Sequence, residues 1–151
     1  MKILCYTRQP KEDIIYGNRM AYSMHLAYQG KDGRFWPLHH NEGILYAKAV
    51  EDSSNGVLDA RSMKKPWIFP MENGGYGVAA IRTGAEGEAD PDSEGAVLLF
   101  TSRDLVHYEE AGLCRLQESG YIEEVRCAYE EKNGLYRICW RGEEDDWMEG
   151  V

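Results

Sequence analysis

Three stretches of the chain gather side chains that can do chemistry. His39-His40-Asn41 offers two imidazoles and an amide, donors suited to a metal or a polar ligand. Adjacent histidines on an extended chain point to opposite faces, so they do not readily share one ion. The simpler reading is a pair of loop histidines with Asn41 as a turn residue. Asp90-Pro91-Asp92-Ser93-Glu94-Gly95 has acidic residues at positions one, three and five and glycine at six, as calcium loops do. Its twelfth position is Thr101 rather than a bidentate glutamate, and a strand is expected from Ala96 onward. A solvated acidic loop is therefore expected there. Glu143-Glu144-Asp145-Asp146 crowds four carboxylates ahead of Trp147, which reads as a solvated loop near the C-terminal end. No metal site and no cofactor is expected from these stretches.

The four cysteines, Cys5, Cys114, Cys127 and Cys139, show no C-x-x-C spacing. Zinc and dithiol chemistry are therefore poor readings, and small apolar strand residues are the better one. With 17 Lys plus Arg against 26 Asp plus Glu, the net charge of −9 argues against a nucleic-acid partner. No run approaches the roughly 18 apolar residues of a membrane span. The opening MKILCYTRQPKED turns polar too soon for a secretory signal. The compartment is open, with cytoplasmic as the default. A chain of 151 residues suffices for one domain with its own core.

The elements that must position these groups are nearly all β. Apolar runs are short and alternating, glycine is frequent, and no long window keeps a helical period. Strands are expected at Ile3–Thr7, Ala21–Tyr28, Gly43–Ala49, Trp67–Met71, Gly77–Arg82, Ala96–Thr101, Val125–Tyr129 and Tyr136–Arg141. An internal repeat organises them. PWIFPMENGGYGVAAIRTG (66–84) returns as VRCAYEEKNGLYRICWRG (125–142), with Arg82 and Arg141 59 positions apart. YSMHLAYQGKDGRFW (22–36) returns as GAVLLFTSRDLVHY (95–108), with Asp32 and Asp104 each four residues ahead of an aromatic. The polar insert EDSSNGVLDARS (51–62) separates the copies, and KILCYTRQ (2–9) reads as the second strand of a hairpin. About two and a half copies of a four-stranded unit predict a partial β-propeller built from four-stranded antiparallel blades. Blade 1 spans about 2–50, blade 2 about 64–118, and the start of blade 3 about 122–142. With a two-residue Asn133-Gly134 loop, Tyr129 pairs with Ile138 and Cys127 with Trp140. Val125, Cys127, Tyr129, Ile138 and Trp140 then share one face, with Glu124, Arg126, Arg137, Cys139 and Arg141 on the other. Cys127 and Cys139 are thereby kept apart.

The ordered set MAYSMHLAYQGKDGRFWPLHHNEGILYAKA, RSMKKPWIFPMENGGYGVAAIRT, GAVLLFTSRDLVHYEEAGL and IEEVRCAYEEKNGLYRICWR resembles the first half of family 43 glycoside hydrolases. Those are five-bladed propellers acting on arabinose- and xylose-containing glycans, of arabinofuranosidase and xylosidase type. The resemblance implies three axial carboxylates: a base Asp in the first blade, an orienting Asp in an Asp-Pro pair entering the second, and an acid Glu entering the third. Such hydrolysis needs one ionised and one protonated carboxyl on opposite sides of the sugar bond. Carried over, the acid falls on Glu124, with no proline after it. The Asp-Pro pair falls on Lys65-Pro66, and the base has no counterpart. The catalytic set is thus incomplete. Lys65 can pair with Glu124 and hold it ionised, or point to solvent.

Candidate ligand contacts are Lys65, Arg61 just before it, His40, Asn41, and Trp67 as a stacking ring. Trp36, Trp140 and Tyr76 are further aromatics that can stack on sugar or pack between blades. The expected partner is a glycan or small sugar. Two alternatives stand: an incomplete family 43-like hydrolase, or a non-catalytic sugar-binding or structural propeller part. Two and a half blades further suggest completion by a second copy, or a fragment of a longer chain.

Overall fold

The computed structural model describes residues 2–8, 22–48, 50–51, 58–59, 61–84, 89–143 and 146–151. The strands are β1 (Ile3–Arg8), β2 (Ser23–Gln29), β3 (Phe35–Pro37), β4 (Leu45–Tyr46), β5 (Val50–Glu51), β6 (Leu58–Asp59) and β7 (Arg61–Pro70). They continue as β8 (Tyr76–Gly84), β9 (Ala96–Ser102), β10 (Tyr108–Arg115), β11 (Ile122–Glu130), β12 (Leu135–Gly142) and β13 (Trp147–Gly150). Among the described residues the only helices are two single 3₁₀ turns, at His39–Asn41 and Pro91–Ser93, and none could cross a membrane.

The fold is all-β, with three antiparallel sheets of three to four strands. They are β1-β2-β3 with β4 also on β2, the meander β10-β9-β8-β7, and β11-β12-β13, accompanied by the ribbon β5-β6. The central sheet is apolar on both faces, which explains why its middle strands read as near-continuous apolar runs. Val78, Ala80, Leu98 and Phe100 pack with Met63 toward Met24 and Leu45 of the first sheet. The intervening Ala79, Ile81 and Val97 pack with Phe69 toward Ile122, Val125, Cys127 and Trp140 of the third. Strand alternation thus sends successive β8 residues into two different cores. Gly77 is required by close approach, because a Cβ there would enter the Phe69 ring on the paired strand.

Several expectations need correction. The strand expected at 43–49 narrows to Leu45–Tyr46, because the edge of β2 is shared. β4 takes Ser23–Met24 and β3 takes Ala27–Gln29. The strand expected at 67–71 is β7, which starts at Arg61, so the second sheet begins inside the stretch read as polar insert; Ser62 and Met63 are fully buried. Asn133-Gly134 is not a two-residue loop. Residues 131–134 form a four-residue turn, closed by the Gly134 N–H donating to the Glu130 carbonyl at 2.9 Å. Cys127 therefore pairs with Ile138 and Tyr129 with Tyr136. A slip of two residues preserves the faces, and Cys127 and Cys139 remain on opposite ones. β3, β5, β6, β10 and β13 were not anticipated. β10 alternates half-buried and exposed residues at a sheet edge, and its Gly112 follows a register shift at φ +146°. Such a strand carries little apolar signal.

The repeat survives as architecture. Arg82 and Arg141 each occupy the seventh position of their strand. Loops 30–34 and 103–107 are the same length between paired strand ends.

Candidate functional site

The stretch Lys64-Lys65-Pro66 lies at a β-bulge. Lys64 pairs with Ile81 but Trp67 pairs with Ala79, so β7 carries one residue more than its partner. Pro66 has no N–H to give the ladder, which localises the break. Lys65 takes φ +46°, a left-handed conformation that costs a lysine about 1–3 kcal/mol. A second bulge faces it, since Ile122 pairs with Gly142 and Glu124 with Arg141, leaving Glu123 extra. The two bulges are joined: Lys65 Nζ donates to the Glu123 carbonyl at 2.8 Å. Trp67 Nε1 donates to the Cys127 carbonyl at 2.8 Å and adds a second tie between the sheets. On the opposite side, Cys5 Sγ donates to the Pro66 carbonyl at 2.9 Å.

Glu124 sits beside this junction. Its Oε1 accepts from Arg126 Nη2 at 2.7 Å and Nε at 3.1 Å, and its Oε2 lies 3.5 Å from Arg141 Nη2. The Arg126 hydrogen bonds, then the charges of Arg126, Arg141 and Lys65, hold its carboxyl below the usual range despite some desolvation. Lys65 therefore acts on Glu124 through its field while its hydrogen bond goes to the neighbouring backbone. A glycosidic general acid needs the reverse, a carboxyl kept protonated near neutral pH.

The Arg126 guanidinium lies between two indoles, 4.6 Å from the Trp147 ring centroid and 5.6 Å from that of Trp67. Trp67 thus gives its ring to a cation of the same chain. Arg126 and Trp147 were not singled out by sequence as site residues. The readable signal was that Arg126 stands two residues after Glu124 on one strand, hence on the same face.

The other anticipated contacts are elsewhere. His39, His40 and Asn41 form a 3₁₀ turn with φ of 51°, 55° and 63°, so they are not on extended chain. The Asn41 side chain accepts from the Tyr6 hydroxyl at 2.8 Å, and Tyr6 stacks on His25 at 5.5 Å. His25 is held below its ordinary pKa by burial first and the Arg8 charge second. Ser23 Oγ lies 2.9 Å from His25 Nε2, the spacing of a nucleophile and its base. Both residues are buried, and Gly43 packs so closely that a Cβ there would sit 2.6 Å from Ser23 Oγ. Among the described residues that pair is a packed polar core. Arg61 pairs with Gly84 at the start of β7 and is half-buried. Asp90 does not stand as an open ligand: it caps the 91–93 turn through the Ser93 N–H and pairs with buried Arg82. Of the 143–146 acidic run, Glu144 and Asp145 lie outside the described residues. Among the described residues, no three His, Cys, Asp or Glu side chains are grouped to hold a metal.

Comparison with known proteins returns no matching family model, and no significant match among curated proteins or solved structures. The resemblance to family 43 therefore rests on the sequence motifs alone.

Proposed function

We propose that the chain is part of a sugar-binding β-propeller resembling family 43 glycoside hydrolases, which keeps the scaffold and has lost the acid–base set. The observation that carries this reading is the state of Glu124, held ionised by Arg126 and Arg141 where an acid must be protonated. Lys65 at the position of the orienting aspartate points the same way. Propeller architecture is supported by face-to-face stacking of three meandering sheets, the middle one buried on both sides. Completion by a second copy is supported by β1 and β13. Each is an outermost strand in its sheet among the described residues, and the sheet of β13 has three strands there beside the four of the central one.

The test is release of nitrophenol from arabinofuranoside and xyloside substrates, run beside calorimetric titration with arabinose and xylose. The expected outcome is no turnover above buffer together with saturable sugar binding. Turnover that disappears in Glu124→Gln would overturn the non-catalytic reading. Absence of both turnover and binding would remove the sugar reading altogether.

A further inference from the structure

Beside the two bulges lies a cleft of about 270 Å³ lined by Lys64, Lys65, Arg82, Thr83, Ile122 and Glu123, among others. Its size suits a single sugar ring or a smaller ion rather than an extended chain. Neighbouring residues of a regular strand point to opposite faces, so Lys64 and Lys65 would ordinarily be divided between the two sides of β7. The bulge and the left-handed φ of Lys65 bring both to the same cleft. Backbone strain of this kind persists where surrounding structure enforces it, and it concentrates where ligands are held.

The charges in the cleft are unbalanced. Among the described residues neither lysine has a carboxylate within ion-pair distance. Lys64 lies over the Tyr22 ring at 5.6 Å, and Lys65 gives one of its protons to a neutral carbonyl. Arg82 carries a third positive charge, matched by Asp90 behind it. Among the described residues the lining sets a single carboxylate, Glu123, against the two lysine ammoniums, so these groups leave the cleft positive. A positive concavity in a chain of net charge −9 is local design rather than general composition. An ammonium is a compact charge with several donors, suited to an oxyanion.

We infer that this cleft binds the oxyanion of a small ligand, a carboxylate, sulfate or phosphate, through Lys64 and Lys65. Read with the proposed sugar binding, the ligand is an acidic sugar such as a uronate. That sugar identity rests on the proposed function, whereas the anion site does not.

The experiment is an amide-resonance NMR titration of the full chain at constant ionic strength with three probes: sodium glucuronate, inorganic phosphate and neutral xylose. Saturable shifts are expected at Lys64, Lys65, Ile122 and Glu123 with glucuronate. Lys64→Ala and Lys65→Ala should each weaken binding about fivefold, and the double variant should lose it. Phosphate binding without glucuronate binding upholds the anion site and removes the acidic-sugar identity. Xylose binding elsewhere, with no anion shifts at the cleft, overturns the inference and leaves the proposed function standing. Unchanged anion affinity in a folded double variant also overturns it. Folding of each variant is read from the same spectra by the dispersion of core amides such as Val78 and Val97.

Discussion

Glu124 shows how a residue's role is decided by partners rather than by type. It stands near the start of β11, where the family resemblance expects a proton donor, yet two guanidiniums converge on it. A depressed carboxyl contributes stability that is fully present above its unfolded value, near the ordinary 4.5, and is lost as pH falls below that through the folded value. Carboxyl-carbon NMR should therefore place the Glu124 midpoint below 4.5. Arg126→Ala should move it upward, because its hydrogen bonds are the largest cause of the shift. A midpoint above neutrality would return Glu124 to the role of acid. Cys127 shows the same principle in the other direction, its thiol pushed up to about 11 by burial in the core between the second and third sheets.

At the level of elements, the telling feature is the pair of facing bulges in β7 and β11. A regular β7 would carry one fewer residue and would turn Lys65 away from Glu123. The left-handed backbone at Lys65 is strained for a lysine but not for glycine. Lys65→Gly should consequently make the fold about 1 kcal/mol more stable, measured by urea denaturation, while removing one ammonium from the cleft. A loss of stability would mean that the Lys65 bond to the Glu123 carbonyl outweighs the strain. Much of the element pattern was readable. The central strands announced themselves by apolar runs, and the faces of β11 and β12 followed from alternation. The strands that were missed, β3, β5, β6, β10 and β13, are short or, for β10, lie at a sheet edge, where half-burial leaves a weak pattern.

For the whole molecule, three sheets stack through two apolar interfaces, and β1 and β13 lie outermost in their sheets among the described residues. If two copies complete a five-bladed ring, sedimentation equilibrium should give twice the 17.2 kDa chain mass, with the association resisting dilution. A well-folded species at the single-chain mass would refute the paired ring. The outer face of the third sheet bears on this, because it is charged. Arg137 is paired with Glu130 at 2.5 Å and with Glu149, and Arg126 with Glu124 at 2.7 Å. A contact on that face would be polar and would weaken with salt.

From sequence alone came the all-β class and the two faces of the 125–141 hairpin. These follow from period, turn residues and identity, which are local properties of a chain. Only tertiary structure decided that Lys64 and Lys65 line one cleft, that Glu124 is held by Arg126 and Arg141, and that His40 and Asn41 form a turn beside the first sheet. Bulges and cross-strand ion pairs depend on register and on how sheets stack. Residues nearly sixty positions apart, such as Lys65 and Glu123, meet only once that stacking exists.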